Sequence, residues 1–157
     1  MDERIMIIAE GLKGMNNSAI DLIKKGEYDK AQALFESAES TCRLFQYNDG
    51  VGMIRVSLAN LSVMRGDLLE ALTHVETAIS LYSQCKEREK ACELQRKIAM
   101  IALEAGIEKE NSDDLKGALE IFERVLPYLN EKRTALVSIE IKNLREYIYQ
   151  EDRTQSI

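Results

Sequence analysis

Apolar side chains recur at three- and four-residue steps along most of the chain, the spacing that places them on one face of an α-helix. One such face contains Ala31, Leu34, Phe35, Ala38 and Cys42. Glycines and short polar runs interrupt the pattern, and both are typical of the turns that end helices. The pattern therefore predicts an all-α fold.

Seven helices are expected from these interruptions. Asn48-Asp49-Gly50 is a turn signal before the third helix, and Pro127 ends the sixth because proline has no backbone N–H to donate. Residues 151–157 are expected to form a frayed tail. The predicted helices cover residues 3–24, 28–45, 52–64, 68–83, 86–107, 114–126 and 132–149.

Small residues occupy the same relative positions in three successive helix pairs. Helices can approach to about 8 Å only where bulky side chains are absent. We therefore expect the first small residue of each pair to face the second, and the third to lie against the next pair. The three sets are Ala19, Ala31 and Ala38; Ala59, Ala71 and Ala78; and Gly106, Ala118 and Val125.

Two of these segments resemble the tetratricopeptide repeat. Residues 26–31 read Gly-Glu-Tyr-Asp-Lys-Ala, residues 66–71 read Gly-Asp-Leu-Leu-Glu-Ala, and residues 114–122 are a weaker match. The resemblance implies a right-handed α–α superhelix of three helical hairpins with a C-terminal capping helix. The spacing departs from the family, since Gly26 and Gly66 are 40 residues apart whereas the usual period is about 34.

A single domain over residues 1–150 follows from this resemblance. Its repeats are expected at about residues 12–46, 52–84 and 94–130, and its capping helix at residues 131–149.

The charge, apolar runs and cysteines of the chain limit the kinds of partner and the compartment that we expect. The 157 residues carry a net charge of −6, and the lysines and arginines are dispersed, so a nucleic-acid ligand is disfavoured. No apolar run is long enough to cross a membrane, and the N-terminal segment does not read as a secretory signal. The three cysteines Cys42, Cys85 and Cys92 form no close pair, which favours reduced packing residues in the cytoplasm.

Signals for catalysis are lacking. The single histidine, His74, is placed by the helical pattern on the polar side of its helix, which favours a surface role. No zinc-protease, phosphate-loop or nucleophile-elbow motif occurs, and the acids between residues 108 and 114 lack the spacing of a calcium loop. We therefore expect no enzyme activity, metal, cofactor or small-molecule substrate.

A partner protein is the expected ligand. In the family that the chain resembles, the first helix of each repeat lines a concave groove, which would here bind a peptide or helix of that partner. Asparagine amides can pair with a peptide backbone, and methionines adapt to irregular apolar surfaces. Alternatively, the capping helix or the N-terminal turns cover this surface. The groove residues carried over by position are Asn16, Ile20, Met53, Val56, Asn60, Val63, Met100 and Leu103.

Two further functions stay open. The first and last helices carry apolar residues on wide arcs, so a self-assembling homodimer could use Ile5, Ile8, Leu144 and Ile148. A small chaperone or regulator that sequesters an amphipathic client segment is the other.

Overall fold

The structure, a computed structural model, describes residues 2–83 and 85–155. Within these residues all regular structure is helical, which confirms the predicted all-α class. The helices are α1 (Glu3–Lys24), α2 (Tyr28–Leu44), α3 (Asn48–Met64), α4 (Leu68–Leu81), α5 (Cys85–Asn111), α6 (Leu115–Val125), a 3-10 helix (Leu126–Tyr128) and α7 (Glu131–Gln155).

The chain divides into two compact units, residues 1–94 and 95–157, with the boundary inside α5. In the first unit α1 packs against α2, α2 against α3 and α3 against α4, so helices adjacent in sequence are adjacent in space. In the second unit α6 packs against α7, and the 3-10 helix contacts both. Each unit therefore contains at least one antiparallel helix pair joined by a short turn.

Three hairpin turns share one backbone geometry. Gly26, Gly66 and Asp113 have positive φ angles of 76°, 81° and 65°. In each turn the next residue donates its N–H to the carbonyl oxygen five residues earlier, at 2.8–2.9 Å. This bond satisfies a carbonyl at the helix end, as left-handed C-terminal caps do. The third turn keeps the register of the other two although aspartate replaces glycine, since each positive-φ residue lies five positions before Ala31, Ala71 or Ala118.

The predicted turn at Asn48-Asp49-Gly50 is wrong, because these residues form the first turn of α3. The chain reverses earlier, where Gln46 has a φ of 55°. Gly50 is buried, and a Cβ atom there would lie 2.5 Å from the ring of Tyr47. Glycine therefore serves close packing at this position, and the sequence signal for a turn was misleading.

Helix α7 is longer than expected. It continues to Gln155, and its last residues are exposed to solvent. Residues 150–155 contain neither glycine nor proline, so nothing in the sequence ends the helix earlier. The remainder of the predicted frayed tail, Ser156 and Ile157, lies outside the described residues.

Eight of the nine repeat positions are buried, whereas Ala38 is half-buried. In the first unit Ala19 and Ala31 are fully buried in one hydrophobic core, together with the larger Phe35. In the second unit a Cβ on Gly106 would lie 2.7 Å from Cε1 of Phe122 and 3.2 Å from Cγ2 of Ile121. The side chains nearest Gly106 are thus one turn beyond the expected partner, Ala118. The missing side chain at Gly106 makes room for the Phe122 ring.

Candidate protein-binding site

A pocket of about 290 Å³ opens between α1 and α3 in the first unit, and we call it the α1–α3 pocket. Its walls are mainly apolar, with lysine, asparagine and serine among them. The lining residues are Leu12, Lys13, Met15 and Asn16 of α1, Met53, Ile54, Val56 and Ser57 of α3, and Tyr82, which follows α4.

The floor of the α1–α3 pocket belongs to the hydrophobic core. Leu12 and Ile54 are 7% and 2% exposed, whereas Met53 at the surface is 49% exposed. Gly52 allows Tyr82 to pack closely, since a Cβ on this glycine would lie 2.9 Å from the tyrosine ring. The pocket therefore combines a rigid base with a flexible methionine at its edge.

The polar groups of the pocket differ in charge and in hydrogen-bonding role. Burial, followed by the negative charges of Glu87 and Asp49, raises the pKa of Tyr82 to about 12, so its hydroxyl stays protonated and can donate. Lys13 brings a positive charge and lies 3.9 Å from the exposed carboxylate of Glu10. Together with the Asn16 amide, these groups offer donors to an anionic or carbonyl oxygen.

Three of the residues expected in the groove meet in this pocket, namely Asn16, Met53 and Val56. The structure also adds Lys13 and Tyr82, which the repeat pattern did not single out. Lys13 belongs to a polar face and Tyr82 to an apolar stripe, so neither carries a sequence signal for binding.

The remaining first-unit residues of the expected groove lie outside the pocket lining. Ile20 follows Asn16 by four positions on α1, and Asn60 follows Val56 by four positions on α3, so each lies one turn further along the same face. Ile20 and Asn60 are exposed, and Val63 is half-buried. They form a continuation of the surface toward the hairpin turns.

Two expected groove residues belong to the second unit. Met100 is half-buried on α5. Leu103 is 8% exposed and lines a separate pocket together with Leu136 and Val137 of α7. Leu103 therefore lies beside the C-terminal helix, and its role in partner binding stays a prediction.

The residues expected to mediate self-association are less accessible than the sequence suggested. Leu144 is 5% exposed and belongs to the core of the second unit, so its assignment to an open interface is wrong. Ile8 packs against the core of the first unit. Ile5 and Ile148 are half-buried. The large apolar side chains exposed on α7 are Leu136, Ile139, Tyr147 and Tyr149.

A chain of polar contacts connects α2, α3 and α4. The Arg55 guanidinium binds the Glu39 carboxylate through two nitrogens, one of them at 3.1 Å. The same guanidinium lies 3.0 Å from Nδ1 of His74, whose Nε2 lies 3.5 Å from the Glu70 carboxylate. Because arginine only donates, Nδ1 of the histidine accepts and the Nε2 proton points to Glu70.

His74 is therefore not the free surface residue that the sequence indicated. Its side chain is only 14% exposed. Burial, followed by the charge of Arg55, lowers the pKa of His74, so the ring is neutral near pH 7. This arrangement connects adjacent helices through polar side chains.

Other candidate chemistry is sparse in the part of the chain that the structure describes. There, no three histidine, cysteine or acidic side chains are grouped as metal ligands. The cysteines differ in environment: Cys42 is buried, Cys92 is half-buried and Cys85 is exposed, so Cys85 does not pack as expected. None of the described helices combines the length and the apolar character that a membrane span requires.

No protein-family model matches the chain, and no curated protein has a detectably similar sequence.

Proposed function

We propose that this protein is a non-catalytic interaction module of the cytoplasm, built as a tetratricopeptide-like superhelix, that binds a segment of a partner protein. The α1–α3 pocket is the observation that carries this proposal. The resemblance to the tetratricopeptide repeat implies Asn16, Met53 and Val56 as groove residues, and all three line the same pocket. They come from the first helices of two successive hairpins, as a groove built by stacked repeats requires.

The pocket chemistry favours a peptide or helix with a large apolar side chain. A volume of about 290 Å³ with mainly apolar walls accommodates such a side chain, and Met53 can adjust to its shape. Asn16 then pairs with the backbone of the segment, and Lys13 attracts an acidic group beside it. Ile20 and Asn60 extend the contact along the same helix faces. An amphipathic client segment would satisfy the same chemistry in a small chaperone.

Replacing Met53 with aspartate should weaken binding at least about tenfold, because a carboxylate in an apolar pocket loses solvation without gaining a partner. Peptides selected from a random displayed library against the whole chain provide the ligand, and titration calorimetry measures affinity. Leu44→Asp on α2 is the matched control, since Leu44 is 77% exposed and does not line the pocket.

Both variants are expected to melt at the temperature of the wild type, since both side chains are exposed. Selected peptides that bind wild type and Met53→Asp equally well would contradict the proposal. So would a selection that yields no binding peptide.

A second candidate function, self-association, is favoured by the exposed apolar side chains of α7. Leu136 and Ile139 are 61% and 60% exposed, and Tyr147 is 53% exposed. These three follow one another at steps of three and eight positions, so they share one side of the helix. Asn143 interrupts this apolar stripe between Ile139 and Tyr147, but exposed apolar groups of this kind commonly mark an interface.

If this stripe forms a homodimer, light scattering after size exclusion should give twice the mass of the 17.8 kDa chain. Ile139→Asp should then return the mass to that of one chain, because each dimer would bury two new carboxylates. Met6→Asp on α1, where the methionine is 54% exposed, is the control and should leave the dimer intact. A monomeric wild type at high protein concentration would eliminate this second function.

A further inference from the structure

A second pocket, of about 470 Å³, lies in the second unit beneath one side of α7. We call it the α7 pocket. Leu103, Ile107 and Phe122 form its apolar inner wall, and Leu136 and Val137 bring apolar groups from α7. Helix α7 is therefore the element whose position determines how open the pocket is.

Two acidic side chains from different helices meet at the α7 pocket. Glu110 near the end of α5 and Glu140 on α7 both line it. A hydrogen bond between their side chains is the main cause that raises the pKa of Glu110. Two carboxyl groups can share such a bond only while one of them is protonated, because a carboxylate has no proton to donate. We call these two residues the carboxyl pair.

The other charged groups around the carboxyl pair are few. Helix α7 contributes Arg133 to the lining, whereas α6 contributes only the uncharged Phe122. Lys109, next to Glu110 in sequence, is bound to Asp114 at 2.9 Å. Arg133 offsets part of the negative charge, but it is on the same helix as Glu140 and does not replace the bond between helices.

We propose that the carboxyl pair is a pH-sensitive contact that holds α7 against α5 when protonated and loosens α7 when both groups ionise. Loss of the shared proton replaces a hydrogen bond by repulsion between two like charges. The apolar wall formed by the buried Leu103 and Phe122 then becomes more accessible. The second unit would thus expose an apolar surface in response to rising pH, independently of the α1–α3 pocket.

The direction of the pH effect follows from the pKa of Glu110. The hydrogen bond to Glu140, then burial and the charge of Glu140, raise this pKa from 4.5 to about 7. At pH values between 4.5 and about 7 the folded unit binds more protons than the unfolded chain. The carboxyl pair therefore stabilises the folded unit fully below pH 4.5. This stabilisation is lost as the pH rises through about 7.

Hydrogen exchange measured by mass spectrometry on the whole chain tests this inference. After correction for intrinsic exchange rates, the protection of α7 peptides should fall by about threefold to tenfold between pH 5.5 and pH 8.5. The expected fall in protection is modest because solvent screens charged groups at the edge of a pocket. Peptides from α2 in the first unit provide the internal reference.

Glu140→Gln is the decisive variant. A glutamine amide can donate to the Glu110 carboxyl group whether or not that group is ionised, so α7 should stay protected at pH 8.5 and the pH dependence should disappear. Glu146→Gln removes the same charge from an exposed site on the same helix and should keep the wild-type profile. If Glu140→Gln does not fold, Glu110→Gln tests the same loss of pH dependence.

Two results would overturn the inference. One is a wild-type pH profile retained in a folded glutamine variant of either glutamate. The other is a carboxyl-carbon NMR titration in which both glutamates ionise near the ordinary value of about 4.3.

Discussion

Replacing Phe35 with alanine should lower the free energy of unfolding by about 3–5 kcal/mol, the range expected for removing a buried aromatic ring. Phe35 on α2 is only 2% exposed and belongs to the core that also contains Leu12 and Ile54. Its loss leaves a cavity that three helices must collapse to fill. Urea unfolding followed by circular dichroism measures the change.

Phe45→Ala provides the matched control for this prediction. Phe45 directly follows α2 and is 40% exposed, so its removal should change stability by only about 0.5 kcal/mol. Because Leu12 and Ile54 also form the floor of the α1–α3 pocket, Phe35→Ala should weaken peptide binding as well. Equal losses of stability in the two variants would contradict the assignment of Phe35 to the core.

The helices and hairpin turns were predictable because their signals are local. Apolar periodicity gave the helices, and Gly26 and Gly66 marked two turns with positive φ. The third turn is instructive, since Asp113 adopts the same geometry without glycine. The polar run before residue 114 places the turn, and the register of the repeat places its positive-φ residue five positions before Ala118. Aspartate tolerates this region of φ and ψ better than most residues do.

Contacts between distant residues were not predictable in the same way. Arg55 joins Glu39 and His74, which lie 16 and 19 positions away on other helices. The pattern of polar positions predicted a surface role for His74, and a single sequence does not show which polar surfaces meet. Burial of His74 and the lowering of its pKa follow only from that meeting.

The carboxyl pair is also a contact between distant residues that the sequence does not predict. Glu110 and Glu140 are 30 positions apart in sequence, and each is ordinary within its own helix. Only the packing of the second unit brings them to one pocket, where a hydrogen bond between them, followed by burial and the charge of Glu140, raises the pKa of Glu110 to about 7. Sites of this kind require the arrangement of helices, whereas the groove residues Asn16, Met53 and Val56 could be chosen from repeat register.

The small residues are the clearest connection between sequence and fold, and Ala31→Leu tests them directly. Ala31 is fully buried in the core of the first unit. Three additional carbon atoms must displace a helix or force strained rotamers, so the free energy of unfolding should fall by about 1–3 kcal/mol. Urea unfolding measures the loss, and Ala71→Leu in the second hairpin should behave alike, since Ala71 is also fully buried.

Ala33→Leu makes this test specific, because it adds the same atoms to the same helix two positions later. Ala33 is exposed, and leucine is nearly as good a helix former as alanine, so stability should change by only about 0.5 kcal/mol. A large difference between the two variants means that lack of bulk is required at the helix crossing and not along α2 in general. Equal stabilities would instead mean that α1 and α2 do not depend on a small residue to approach each other. The repeat register would then lose its physical basis, and with it the argument that placed Asn16 and Met53 in one groove.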